Sequence, residues 1–212
     1  MATHIRCSKP VLAQLMLALG ALFLCSANVL AQEIPAEYQQ VLTYLGKRGD
    51  FKDGVFKLNI PRTDLHVNIA GISAPTPFGF GGWLAMTKGD GGIEVMMGDL
   101  VLLEDEVNPV MSALLESGLE VTALHNHFFW ETPRIFYMHV HGHGSAEDLA
   151  VKVKPALHLI GHVKPSENQT GTVSSKVTDG FSAGGKLDTD KLAKIIGYKV
   201  EQMGSVYKTT IG

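Results

Sequence analysis

Apolar and polar positions along this chain repeat with the periods of short helices and strands. Apolar residues at helical spacing predict a helix from Pro35 to Gly46, and similar patterns predict two more helices at 104–115 and 145–157. Alternation every second residue predicts strands at 54–60, 65–69, 83–87, 93–103, 120–129 and 135–143. This order predicts an α+β fold with a mixed or antiparallel sheet and helices packed on one face.

The ends of the two later helices have their own signals. Glu104, Asp105 and Glu106 place acidic side chains at the positive end of the first of them, and Gly118 follows its last turn. Ser145 is a favourable N-cap for the second, whose first turn contains two further acids. The sheet pattern and these ends together predict compact helix–strand units rather than an all-β barrel.

The N-terminus is typical of a secretory signal peptide. Arg6 and Lys9 precede an apolar stretch that is short for a membrane span, and small residues at 29 and 31 fit a cleavage site after Ala31. Cys25 raises the alternative of lipoprotein processing, but the bulky Leu24 before it favours ordinary cleavage. We therefore predict a signal peptide at 1–31 and a periplasmic or secreted mature chain with no integral membrane span.

Cleavage changes the chemistry that the chain can offer. It removes Cys7 and Cys25, the two cysteines, so the mature protein has neither a disulfide nor a thiolate metal site. It also leaves 16 Lys and Arg residues against 21 acidic ones, a net charge of −5 that argues against nucleic acid as a partner. Any metal must be held by His, Asp, Glu or water.

Three further regions follow the signal peptide. We predict a domain at 32–163 and a polar linker or long loop at 164–186. The remainder, 187–212, repeats the start of the domain: 191–199 aligns with 40–48 and 206–208 with 55–57, both at an offset of 151 residues. We interpret it as the start of a second, truncated copy. The alternatives are a helix and strand that close over the first domain, and a chance similarity.

Histidines concentrate in one segment of the domain. Five of the nine lie between residues 125 and 143, at 125, 127, 139, 141 and 143. Residues two apart on a strand share a face, so each group directs its imidazoles to one side. A turn centred near Pro133 would make a histidine-rich β-hairpin in which His127 is opposite His139 and His125 is opposite His141.

Such a hairpin is a candidate metal site. His125, His127, His139 and His141 are the predicted ligands, and zinc is the expected divalent metal because imidazoles are common ligands for it. Three of them with a bound water would suit a metal-dependent hydrolase. Glu131 is then a candidate general base, and Arg134 a group that pairs with a small anionic substrate. The alternative is a strip of surface histidines, or a satisfied polar core, without metal.

A longer set of residues resembles a known family. Gly98 to Met111, Leu119 to His127, the motif Glu131-x-Pro133-Arg134, and His139 are similar to the LppY/LpqO family. The resemblance implies an exported bacterial protein of unknown function whose domain often occurs twice. It points to His125, His127, Glu131, Arg134 and His139 as matching positions, with His141 and His143 less regular. It therefore favours a smaller site than four imidazoles.

A second function class also fits the residues. Five aromatic side chains surround the predicted turn, and together with Arg134 they suit the recognition surface of a non-enzymatic envelope module that binds a ligand or partner: Phe128, Phe129, Trp130, Phe136 and Tyr137. The competing interpretation is that these rings belong to the core. Neither the substrate nor the oligomeric state follows from the sequence.

Overall fold

The computed structural model describes residues 32–162 and 185–211. The predicted signal peptide and most of the predicted linker lie outside these residues. Every element described below belongs to one compact unit of the chain. No described helix has the length and apolar character needed to cross a membrane.

The elements follow one another in an α+β order. Helices are α1 (Ala36–Leu45), α2 (Glu104–Glu116), α3 (Ala146–Leu159) and α4 (Thr189–Ile196). Strands are β1 (Arg48–Lys52), β2 (Val55–Pro61), β3 (Val67–Ile69), β4 (Ile72–Ala74), β5 (Gly81–Lys88), β6 (Glu94–Leu103), β7 (Glu120–His125), β8 (Glu131–Thr132), β9 (Ile135–Gly144), β10 (Val200–Met203) and β11 (Val206–Thr209).

The main sheet has six strands in the order β1-β2-β5-β6-β9-β7, and every neighbouring pair is antiparallel. The antiparallel option of the predicted fold is therefore confirmed. Strands β4, β3 and β8 form a separate small sheet. The predicted strands at 65–69 and 120–129 were too long. Strand β3 covers only Val67–Ile69 and lies in the small sheet, and β7 ends at His125, before the loop that leads to β8.

The core lies between one face of the main sheet and helices α1, α2 and α3. Met138 and Val140 of β9 are buried in it, together with Leu100 and Leu102 of β6. Gly142 faces the same way, and a Cβ there would lie 2.6 Å from Leu119 Cδ2, so a larger residue would collide with the core. The helices therefore cover one face, as the apolar periodicity predicted.

The opposite face of the sheet is only partly covered. A second cluster beneath the small sheet buries Val67, Phe80, Val101, Ile135 and Tyr137. Beyond it, odd-numbered positions of β9 continue along this face, and they carry His139, His141 and His143. The histidines thus lie on the face that helices α1, α2 and α3 leave uncovered.

A buried ion pair joins strands and helices at one end of the sheet. Arg62, only 2% exposed, donates from Nη1 to Glu106 Oε2 at 2.7 Å and to the carbonyl of Val101 at 2.6 Å. Glu106 also accepts the backbone N–H groups of Leu103 and Gly161. Glu106 is therefore more than a dipole-compensating acid: it anchors the start of α2 and the end of α3 to the sheet.

The C-terminal elements repeat the first ones in detail. Gly46 caps the C-terminus of α1 and Gly197 that of α4, both with left-handed backbone and 151 residues apart. The pairing Phe51↔Phe56 in the first hairpin has Gln202↔Tyr207 as its counterpart at the same offset. That this segment begins a second copy of the domain stays a prediction, which the shared register supports.

Candidate functional site

The candidate site lies on the open face of the sheet, where β7, β9 and β6 are neighbours. His139 of β9 is opposite Asp99 of β6 on one side and Ala123 of β7 on the other. His125, at the end of β7, is opposite Tyr137. Directly opposed residues share a face, so His125, His139 and Asp99 project from the same side of the sheet.

This register differs from the predicted hairpin. His139 is opposite Ala123 instead of His127, and His125 is opposite Tyr137 instead of His141, because β7 ends at His125 and β9 begins only at Ile135. Residues 126–134 join the two strands and include β8, which pairs with β3 in the small sheet. The prediction of a tight turn near Pro133 was therefore wrong, although β7 and β9 are antiparallel neighbours.

His125 and His139 are in direct contact. Their Nε2 atoms lie 3.1 Å apart and their rings are nearly perpendicular, at 89°. This distance fits a hydrogen bond between two neutral imidazoles in which one ring donates and the other accepts. It also approaches the separation of about 3.3–3.4 Å that two nitrogens have when both bind one tetrahedral zinc at bonds of about 2.0–2.1 Å.

Asp99 adds a carboxylate beside this pair. Its Oδ1 atom lies 3.8 Å from His139 Nε2, and it is buried with no hydrogen-bond partner among the described residues. Burial raises the pKa of Asp99, while the imidazoles of His139, His127 and His125 act in the opposite direction. A buried carboxylate oxygen without a donor is costly, so this position favours a bound cation or proton.

His127 completes the cluster from the loop after β7. Its ring stacks on Tyr137 with centroids 3.4 Å apart, and its centroid lies 5.1 Å from that of His125. Burial lowers the pKa of His127; Asp99 counteracts this, and His125 and His139 reinforce it. The neutral imidazole, which is the form that binds metal, is therefore favoured at this position.

The other two histidines lie apart from this cluster. His141 Nδ1 is 3.4 Å from Glu120 Oε2, on the β7 side of the sheet. His143 is exposed and paired with Val95 on β6. The structure thus brings together His125, His127 and His139, with Asp99 near them, but not the predicted square. Within residues 32–162 and 185–211, no three His, Cys, Asp or Glu side chains already have the geometry of a metal site.

Glu131 and Arg134 have different surroundings. Glu131 is 6% exposed, and its Oε1 accepts the backbone N–H of Ile135 at 3.0 Å, while Oε2 is buried without a hydrogen-bond partner among the described residues. Asn126 Nδ2 donates to the carbonyl of Ile135 at 2.6 Å, and the exposed Arg134 lies 3.5 Å from Asn126 Oδ1. These contacts close the loop that carries His127, so they position the site.

The aromatic residues divide into two groups. Tyr137 is buried, and Phe128 and Phe136 are partly buried. Phe129 and Trp130 are 80% and 63% exposed, with ring centroids 5.7 Å apart. Trp130 also has a φ of 56°, a left-handed conformation that is unfavourable for a bulky residue. The core interpretation therefore holds for part of the set, and Phe129 and Trp130 are left as an exposed pair.

A shallow depression adjoins the histidine cluster. It has a volume of about 280 Å³ and includes His139, His141, Met97, Val95 and Thr122 in its lining. Met97 is 52% exposed on this face. A small molecule resting here would lie directly beside the His139 imidazole.

The sequence pattern did not lead us to predict Asp99 as a site residue. The available signal was a lone acid in an otherwise apolar strand, because Asp99 follows Gly98 within a run that is largely hydrophobic. Its proximity to His139 depends on the pairing of β6 with β9, strands whose partners are 40 positions apart.

Comparisons with known proteins identify one family. A family model described as Domain of Unknown Function (DUF1259) matches residues 39–159, which include β1 to β9 and every residue of the cluster. The LppY/LpqO name is not part of that description. No curated protein matches the chain, and no solved structure does.

Proposed function

We propose, for a chain that belongs to the family described as Domain of Unknown Function (DUF1259), that it binds a divalent metal ion at the histidine cluster. The observation that carries the proposal is the 3.1 Å contact between the Nε2 atoms of His125 and His139 beside the orphaned oxygen of Asp99. Two imidazoles and a carboxylate form a donor set that suits zinc.

The proposed metal ligands differ in part from those that the sequence suggested. His125, His139 and Asp99 form the central donors, and His127 joins after rotation away from its stack on Tyr137. His141 takes a neighbouring place, since its imidazole already contacts Glu120. Glu131 holds the loop through Ile135 instead of facing the cluster.

Hydrolysis of a small substrate is the reaction that this arrangement supports best. A zinc ion held by these residues would supply a bound hydroxide near neutral pH. The depression beside His139 offers an apolar surface, Met97 and Val95, for the non-reacting part of a substrate. Arg134 is exposed on the neighbouring loop and can meet an anionic group. Cleavage after Ala31 would place this activity in the periplasm or outside the cell.

Metal content tests the proposal directly. The mature chain, purified without a histidine tag, is stripped with chelator, reloaded with zinc and measured by elemental analysis and titration calorimetry. We expect about one zinc per chain, and we expect His139→Ala to lose most of it because it removes one nitrogen of the close pair. His143→Ala is the matched control, since it removes an exposed histidine from the same strand.

Equal zinc binding by wild type, His125→Ala and His139→Ala would refute the site. Asp99→Asn is a milder variant that keeps the shape of the side chain and removes its charge. If zinc binds as proposed, the reloaded protein is then assayed on a panel of carboxylic and phosphate esters. Turnover that requires zinc and His139 supports the hydrolase; zinc binding without turnover leaves a metal-binding protein.

The exposed aromatic pair favours a second candidate function, a non-enzymatic module of the cell envelope. Solvent-exposed Phe and Trp side chains in a strained loop are suited to contact with a lipid interface or a partner. In a Trp83→Phe background, Trp130 is the remaining tryptophan and reports on its own surroundings. A blue-shifted emission with anionic phospholipid vesicles, absent after Phe129→Ser, supports this function; an unchanged spectrum opposes contact with lipid.

A further inference from the structure

A groove lies between α1 and the first turns of α3, on the helical side of the sheet. Its volume is about 470 Å³, within the range of about 300–1,000 Å³ that is usual for small-molecule sites. The connection from β5 to β6 closes one end of it. None of the histidines discussed above contributes to its lining, so the groove is separate from the proposed metal site.

A buried carboxylate lies in the wall of this groove. Glu94 is 4% exposed, and its Oε2 accepts a hydrogen bond from the hydroxyl of Tyr38 at 2.8 Å. Tyr38 is itself buried, at 1% exposure. No other hydrogen bond to Glu94 is present among the described residues, so Oε1 has no protein donor. Lys88 is directly opposite Glu94 in the sheet and its charge acts on Glu94, but its ammonium group pairs with Glu37 at 2.8 Å. A buried carboxylate that has no ion pair of its own among the described residues favours an added cation.

Acidic side chains outnumber basic ones around the groove. Glu37 and Glu147 also line it, and the one basic lining residue, Lys88, pairs with Glu37 at 2.8 Å. Ser145 caps the backbone N–H of Asp148, which satisfies one donor at the positive end of α3. Three carboxylates and one ammonium group therefore line the groove, so its net charge is negative. The Lys88–Glu37 pair shows that an ammonium group can pair with a carboxylate there.

The remaining wall is apolar. Val41 and Ala150 are buried beneath it, and Val151 is 49% exposed along its side. Tyr44 marks the far end, where Lys154 places its ammonium group 3.8 Å from the ring centroid. Because Lys154 already supplies positive charge near that end, a ligand cation is favoured at the Glu94 end, with its hydrocarbon part on the valines.

We propose that this groove binds a primary ammonium ion with a short aliphatic chain. The ammonium donates to Glu94 Oε1, and the chain covers Val41 and Val151. A free alkylamine and the side chain of an exposed lysine share this chemistry. The ligand class is independent of the metal, because the two sites use different residues on opposite faces of the sheet.

Calorimetric titration of the mature chain tests the assignment. The probes are 1-aminobutane and N-acetyl-lysine methylamide; 1-butanol and butyrate are controls of similar size without the positive charge. We expect binding of at least one amine and none of the alcohol or the acid. Glu94→Gln should weaken binding roughly tenfold or more, since it removes the charge-assisted hydrogen bond and keeps an acceptor for Tyr38. Glu116→Gln, an exposed change on α2, should have no effect.

A second variant tests the proposal independently in case Glu94→Gln fails to fold. Val151→Trp fills the groove from its exposed side without a change of charge, and it should also reduce binding. Binding of only the alkylamine or only the lysine derivative identifies the source and supports the proposal. No amine binding at millimolar concentration, equal binding of 1-butanol, or amine binding that neither variant weakens would overturn it.

Discussion

His125 and His139 approach each other through Nε2 atoms 3.1 Å apart, although 13 residues separate them along the chain. Two imidazolium ions cannot share this geometry, because each would direct a proton and a positive charge at the other. The contact therefore requires that at least one of the two rings is neutral.

The first prediction is a stabilisation by zinc that depends on pH. At pH 7.5, zinc at 100 times its Kd should raise the free energy of unfolding by about 2.7 kcal/mol, because it binds the folded state. At pH 5.5 the gain should largely vanish, since the imidazoles must lose protons to bind metal. Urea denaturation with and without zinc measures both values. A gain of equal size at the two pH values, or one retained by His139→Ala, would contradict the proposed ligands.

The second prediction concerns the buried pair of Arg62 and Glu106. Arg62→Met leaves the 0%-exposed Glu106 with an unpaired charge, so we expect a loss of about 3–5 kcal/mol in the free energy of unfolding. Lys88→Met is the control. It also removes the cationic partner of a glutamate, here Glu37, but this pair is at the surface, so the free energy of unfolding should change little. Similar midpoints for the two variants in urea would show that burial does not govern this pair.

Much of the fold follows from local pattern, whereas the site depends on pairing between distant strands. The alternation of Met138 and Val140 with His139 and His141 correctly predicted which side of β9 is buried. Ser145 was correctly predicted as an N-cap, because its hydroxyl accepts the N–H of Asp148. Both depend on residues within a few positions of each other.

The errors share a different physical cause. The connection at residues 126–134 sets the register between β7 and β9, a bulge between Val121 and Ala123 shifts it by one further residue, and the local alternation marks neither. Likewise, β8 leaves the expected hairpin because it pairs with β3, more than 60 residues earlier in the chain. Asp99 meets His139 only through the β6–β9 pairing. Local periodicity could therefore place the histidines on a face, but it could not select their neighbours.

The third prediction separates a structural role of Glu131 from a catalytic one. Burial raises the pKa of Glu131, whereas the N–H of Ile135 and the charge of Arg134 lower it. Because the folded pKa is above its ordinary value, the stability linked to this group is greatest below the ordinary pKa. It is lost as pH rises through the folded pKa. Glu131→Gln removes this dependence and keeps the acceptor for Ile135.

We therefore expect Glu131→Gln to be as stable as wild type or more stable at pH 7, with the difference shrinking toward pH 4. Urea unfolding across that range measures it, and Glu116→Gln, an exposed change on α2, serves as control. A variant that is markedly less stable at pH 7 would show that the carboxylate has a partner that stabilises its charge. Loss of esterase turnover at unchanged stability and zinc content would return Glu131 to a catalytic role.

The fourth prediction tests why glycine interrupts the histidine run at position 142. Gly142 faces the helices, where an added Cβ would lie 2.6 Å from Leu119 Cδ2 and 3.1 Å from Leu149 Cδ2. Gly142→Ala should therefore cost about 1–3 kcal/mol through overpacking, although alanine is otherwise better than glycine in a strand. Gly81→Ala is the matched control, since a Cβ there meets nothing within 4 Å. If Gly142→Ala proved as stable as Gly81→Ala, the packing of Leu119 and Leu149 against position 142 would be looser than the structure shows. That packing would then not be what keeps the histidines of β9 on the uncovered face.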